Sequence, residues 1–123
     1  MPEIDKKYIQ NKFIEYCKVN TRSDEQSTAV PTTTGQVDLL KIIEKELEKL
    51  GLENISFSEE DSYLVGKLKK TTKKEVTPIG FVAHVDTADF NAENIKPLVH
   101  KNYDGKDIFL KEGRVLSTSE FPS

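Results

Sequence analysis

Apolar residues recur at helical intervals in two early stretches of the chain, and the pattern then switches to alternation. Over residues 5–19, Ile9, Phe13, Tyr16 and Cys17 fall on one stripe at helical spacing, which predicts an amphipathic helix. Asp5 stands ahead of it as an N-cap. The polar stretch 20–34, rich in Ser and Thr, reads as a loop, and Val30-Pro31 disfavours helix at that point. A second helix follows. Thr33 and Gln36 have capping-box spacing, and Leu39, Leu40, Ile43, Leu47 and Leu50 form a continuous apolar stripe. Gly51 suits the left-handed position just past the last turn. Glu44, Lys45, Glu46, Glu48 and Lys49 are expected on the wet side.

Residues 54–58 alternate with period two, and 63–68 form a second candidate strand, with Glu60-Asp61-Ser62 as the turn. A polar loop over 69–77 leads to a third strand that opens at Pro78-Ile79 and runs to about Val85. Its Phe81, Val82, Ala83 and Val85 are apolar on both faces, the mark of a central strand covered on each side. Beyond Asp86 the chain is polar to about Asp107, apart from Pro97-Leu98-Val99, and short extended pieces are expected at 107–110 and 115–117. The class is α/β. Two amphipathic helices and one central strand need a larger sheet to pack against, so the layers read as incomplete and the chain as part of a longer protein.

Composition narrows the partners. Net charge is -3, with 18 basic and 21 acidic residues well mixed, so the clustered basic excess of a nucleic-acid surface is lacking. The one dense basic run, 67–74, reads as a solvated hairpin tip. A single cysteine, Cys17, excludes a disulfide within the chain and any CxxC zinc pattern, and fits a reducing compartment. The first seven residues lack the apolar core of a signal peptide, and no segment approaches the roughly 18 apolar residues of a membrane span. The expectation is a soluble cytoplasmic protein with no membrane partner.

Candidate chemistry sits at the end of the third strand. In a strand, side chains at i and i+2 share a face, so His84 and Asp86 should project side by side where the strand runs out into a loop. Strand C-terminal ends are where open α/β sheets build ligand sites. A metal-bound imidazole normally gives its other ring N–H to a carboxylate or carbonyl, and this pair can supply both parts. The alternative stays open, because a His-x-Asp triplet is short and common by chance: in the other reading His84 merely caps a strand. A catalytic zinc needs about three protein ligands, and no convincing second one appears. His100 lies in a polar loop, Cys17 lies on an apolar helix stripe, and HExxH, a Gly-rich phosphate loop and a G-x-S-x-G elbow are all lacking.

Several segments, taken in order, resemble the peptidase T family of the dizinc aminoacylase/carboxypeptidase superfamily. They are 13–16 (FIEY), 19–23 (VNTRS), 30–36 (VPTTTGQ), the Leu-rich helix ending Leu50-Gly51-Leu52, 79–87 (IGFVAHVDT), 102–108 (NYDGKDI) and 115–117 (VLS). The His-Val-Asp-Thr core is shared widely across the superfamily, while the flanking segments and the 102–108 run are particular to peptidase T. The similarity spans nearly the whole chain but only the N-terminal part of the family's length.

The resemblance implies that residues 1–123 form the N-terminal portion of a catalytic domain built as a three-layer α/β/α sandwich, here with a mixed and incomplete central sheet. The remainder of that domain and a smaller inserted lid domain would lie outside this chain. It implies two zinc ions at the sheet edge, with His84 as a metal ligand and Asp86 as the catalytic residue that steadies its imidazole. The remaining ligands and the glutamate base would also lie outside this chain. The implied reaction is release of the N-terminal residue from a small peptide substrate, a tripeptide, by metal-activated water. The chain alone should be inactive, bind zinc weakly, and self-associate through an exposed sheet edge or where the lid is missing. Two other readings remain: another deacylase or dipeptidase of the superfamily, and a non-catalytic binding or structural module.

Overall fold

A computed structural model describes residues 4–120. Helix α1 spans Lys6–Tyr16, and the Asp5 carboxylate caps it by accepting the Tyr8 backbone N–H at 2.9 Å. The helix forms where its pattern predicts, but its stripe is not buried. Ile9 and Phe13 are exposed, and only Tyr16 and Cys17 are half-buried. Cys17 is therefore a partly accessible free thiol rather than a core residue.

Helix α2 spans Thr34–Lys49. Thr33 takes the N-cap position, yet the expected capping box is not made. The Thr33 hydroxyl donates to the Arg22 carbonyl at 2.7 Å, and the Gln36 amide donates to Thr32 Oγ1 at 3.0 Å. Both side chains hold the preceding loop instead of the helix end. The C-terminus closes as expected. Gly51 has φ +78°, its N–H bonds to the Glu48 carbonyl at 3.0 Å, and the Leu52 N–H bonds to the Leu47 carbonyl at 3.0 Å. This is a Schellman closure, whose left-handed residue is easiest for glycine. Leu39 and Leu40 are the buried apolar residues, at 6% and 5% exposure.

Glu46 departs from its expected place on the wet side. It is buried, and its two carboxylate oxygens take hydrogen bonds from the Lys12 ammonium and the Tyr16 hydroxyl of α1. Lys12 also pairs with Glu15 at 2.8 Å. A buried carboxylate needs such partners to offset its lost hydration. Burial by itself would raise the Glu46 pKa, but the hydrogen bonds from Lys12 and Tyr16 outweigh it and hold the carboxyl below its ordinary value. This polar junction, rather than apolar packing, ties α1 to α2.

Strands β1 (Glu53–Ser58) and β2 (Tyr63–Lys67) form an antiparallel hairpin, pairing Ser56 with Val65, Phe57 with Leu64 and Ser58 with Tyr63. In the turn, Ser58 Oγ donates to Asp61 at 2.8 Å. The hairpin packs on α2. A β-carbon at Gly66 would sit 3.0 and 3.2 Å from the Leu52 and Leu47 side chains, so the missing side chain lets those leucines nest against the strand. The basic run 67–74 is solvated as expected. It is not a hairpin tip, however, since it begins at the last residue of β2 and continues without regular structure.

The third strand is the main departure. Residues 78–85 carry no regular secondary structure, and Ile79, Phe81 and Val82 are 81%, 94% and 100% exposed. A strand exists only against a partner, and among the described residues none lies beside this segment. Two separate two-stranded antiparallel sheets stand where one mixed central sheet is expected. The second pairs β3 (Ile108–Phe109) with β4 (Val115–Leu116) around a 3-10 turn at Lys111–Gly113. The class is α/β, with one packed helix–hairpin unit, α2 on β1 and β2. No described helix is long and apolar enough to cross a membrane.

Candidate functional site

Two loops distant in sequence meet just ahead of α2. Thr87 N–H donates to the Thr21 carbonyl at 3.1 Å and Ser23 N–H to the Thr87 carbonyl at 2.9 Å, forming a parallel bridge between Arg22 and Thr87. Arg22 Nε donates to Asp89 Oδ1 at 2.6 Å, and Asp89 Oδ2 accepts the Glu25 N–H at 3.2 Å. The Arg22 hydrogen bond comes first among the causes that hold the Asp89 carboxyl below its usual range. Thr21 is buried at the centre of this clamp.

Gly35, in the first turn of α2, makes the approach possible. A β-carbon there would lie 1.7 Å from the Asn20 carbonyl oxygen. Only a residue without a side chain lets the loop pass so close, and that passage sets where Arg22 and Ser23 meet the second loop.

The structure brings His84 and Asp86 together at the rim of this clamp. His84 Nδ1 lies 3.0 Å from Asp86 Oδ1, and the Ser23 hydroxyl donates to Asp86 Oδ2 at 2.7 Å. Each carboxylate oxygen therefore has one partner. These bonds, Ser23's first and then His84's, hold the Asp86 carboxyl below its ordinary value, so it is an ionised acceptor. An ionised carboxylate cannot donate, so the proton between the two groups sits on Nδ1. In the neutral ring that leaves the Nε2 lone pair free. His84 is 83% exposed on its side chain, so Nε2 is open to solvent.

Ser23 bonds to Asp86 and not to the imidazole, so the trio is no nucleophile–base–acid relay. It is instead a tautomer-fixing arrangement that presents a nitrogen lone pair. The donor set fits one arm of a metal centre. It does not complete one, because among the described residues no three His, Cys, Asp or Glu side chains gather closely enough to hold an ion. His100 is exposed in its polar loop, and Cys17 stays at the end of α1. The hollow beside the clamp is lined by Val19, Asn20, Arg22, Gly35 and Asp38 and includes neither His84 nor Asp86.

Reading the sequence missed Ser23, Arg22 and Asp89 as site residues. A signal existed for the first two, which lie in the 19–23 run that carries the family resemblance. Asp89 had none, since only the folded chain reveals its partner 67 positions away.

No model of a protein family matches the chain. Among curated proteins, a peptidase T from Fusobacterium nucleatum is 46% identical over 122 residues, covering 96% of this chain and 29% of the relative. One from Streptococcus thermophilus is 47% identical over 117 residues, covering 94% and 29%. One from Listeria welshimeri is 44% identical over 120 residues, covering 95% and 29%. The chain belongs to the peptidase T family. It corresponds to the N-terminal part of these longer relatives and spans about 29% of their length. The matched region holds the whole clamp and the His84–Asp86 pair, so the site just described lies inside the part shared with peptidase T.

Proposed function

We propose that this chain supplies part of the zinc-binding rim of a tripeptide aminopeptidase, with His84 as a metal ligand and Asp86 as the residue that fixes its ring. The supporting observation is the 3.0 Å contact between Nδ1 and Asp86 Oδ1, which leaves Nε2 open, within a sequence shared with peptidase T. Neutral imidazole nitrogen is an ordinary zinc donor, and a carboxylate behind it raises its basicity and sets its orientation. A bound zinc pair would supply water activation and carbonyl polarisation. The chain's own residues provide one lone pair, an ionised carboxylate behind it, and the loop clamp that holds both at an open edge.

One imidazole and one carboxylate fall short of the three ligands that a catalytic zinc needs. The reading therefore assigns activity to a longer peptidase T protein and none to this chain alone. In that longer protein, His84→Ala should abolish tripeptide hydrolysis and lower the zinc content per chain. Unchanged hydrolysis and zinc content would overturn the assignment and favour a strand-capping histidine. Purified 1–123 with added zinc should release no amino acid from a tripeptide. Micromolar binding of one ion per chain through His84 would show that the missing ligands are not needed.

A further inference from the structure

We propose that Ser23 is a positioning residue for the candidate metal site. Its hydroxyl locks the rotation of the Asp86 carboxylate, and through it the tautomer of His84. The inference rests on the reading of His84 as a ligand, but its geometry stands apart from that reading.

A carboxylate bonded through one oxygen alone can turn about its Cβ–Cγ bond and exchange which oxygen faces the imidazole. Here the second oxygen is held as well, by the Ser23 hydroxyl at 2.7 Å. The two bonds together fix the carboxylate plane, which directs Oδ1 at Nδ1. Hydrogen bonds to an ionised acceptor are stronger than neutral ones, so the hydroxyl is an effective restraint. It also has one possible role here, since an ionised carboxylate accepts only and the hydroxyl must donate.

The hydroxyl is placed by the backbone and not by its own bond. The Ser23 N–H is fixed to the Thr87 carbonyl at 2.9 Å, and the loop is gripped before Ser23 by Thr21 with Thr87 and by Arg22 with Asp89, and after it by the Glu25 N–H with Asp89. Removing the hydroxyl therefore leaves the clamp in place. Without it, Asp86 gains rotational freedom, and the exposed His84 ring can take its other tautomer, in which Nε2 carries the proton and has no lone pair for a metal.

The test compares Ser23→Thr with Ser23→Val, which match in shape and differ at the hydroxyl. Ring nitrogen chemical shifts of His84 in the 123-residue chain, measured without metal near pH 8, report the tautomer directly. The native chain and Ser23→Thr should show the Nδ1-protonated form, and Ser23→Val a mixture. The Thr87 amide shift monitors the clamp and should be the same in all three. Titration with Zn2+, followed by the His84 resonances, should then weaken about tenfold in Ser23→Val, the lower end of what losing a partner behind a ligand costs. Identical His84 tautomers in Ser23→Val and Ser23→Thr would overturn the positioning role. Zinc-induced shifts of the Asp86 and Thr87 amides that persist in His84→Ala would overturn the metal reading instead, so the two failures are distinguishable.

Discussion

Replacing Gly35 with alanine probes the packing on which the candidate site depends. The added methyl would lie 1.7 Å from the Asn20 carbonyl oxygen and 2.9 Å from its carbon. Carbon–oxygen contacts are ordinarily seen at roughly 3.3 Å or more, so the 20–23 loop would have to retreat by about 1.5 Å. The obstacle is backbone, which cannot swing aside as the tip of a side chain can. Overpacking of this kind costs about 1–3 kcal/mol, and backbone displacement points to the upper end. Alanine recovers up to about 1 kcal/mol of helix propensity. The balance is a loss of about 2 kcal/mol, or on the order of 8 °C in Tm for a chain of this size. Circular dichroism melts of the native chain and Gly35→Ala would measure it, and amide shifts at Thr21, Ser23 and Thr87 would report the retreat. An unchanged or raised Tm, with those amides unmoved, would refute the close approach and with it the account of what holds the two loops together.

Two further outcomes follow from the same structure. Glu46 titrates below its ordinary value of 4.5 when folded, so the unfolded chain binds its proton first as pH falls. Its contribution is thus fully present above 4.5 and lost on acidification through the lower folded pKa. Urea midpoints measured from pH 6 to pH 3 should fall more steeply for the native chain than for Glu46→Gln, and parallel curves would show that the junction adds no pH-dependent stability. The bare apolar segment around Ile79, Phe81 and Val82 should drive self-association, since large exposed apolar patches on a single chain seek cover. Sedimentation velocity should show concentration-dependent association that Phe81→Asp with Val82→Ser removes. A strict monomer at every concentration would count against this.

Local signals in the sequence were readable where one short stretch carries both partners. Asp5 and Tyr8, or Leu47, Gly51 and Leu52, lie within five positions of each other, so their bonds follow from spacing alone. The hairpin was legible for the same reason. Thr33 and Gln36 show the limit of such reasoning, because a competing acceptor on the loop, the Arg22 carbonyl, takes the hydroxyl that spacing assigned to the helix end. The burial of Glu46 was invisible among five neighbouring charges, because its partners Lys12 and Tyr16 sit 34 and 30 positions away. The nearness of His84 and Asp86 was expected from strand alternation and is observed, although the segment that carries them forms no ladder. Their contact comes from the i, i+2 spacing and the Ser23 anchor rather than from a sheet. The third strand was misread because apolar content signals a need for burial, while a strand also needs a neighbour to pair with.

The two halves of this molecule differ in how far apart their contacts lie along the chain. Helix α2 and its hairpin run contiguously from residue 34 to 67, so their loops close cheaply. The Ser23–Asp86 bond instead closes a span of 63 residues for one small cluster of polar contacts. Closure entropy rises with loop length, and contacts of this reach form late and open early. The imidazole's alignment is thus easily surrendered: it can dissolve in a partial opening that leaves the leucine core of α2 intact. Whatever braces the two loops from outside would tighten the His84–Asp86 contact without touching either side chain.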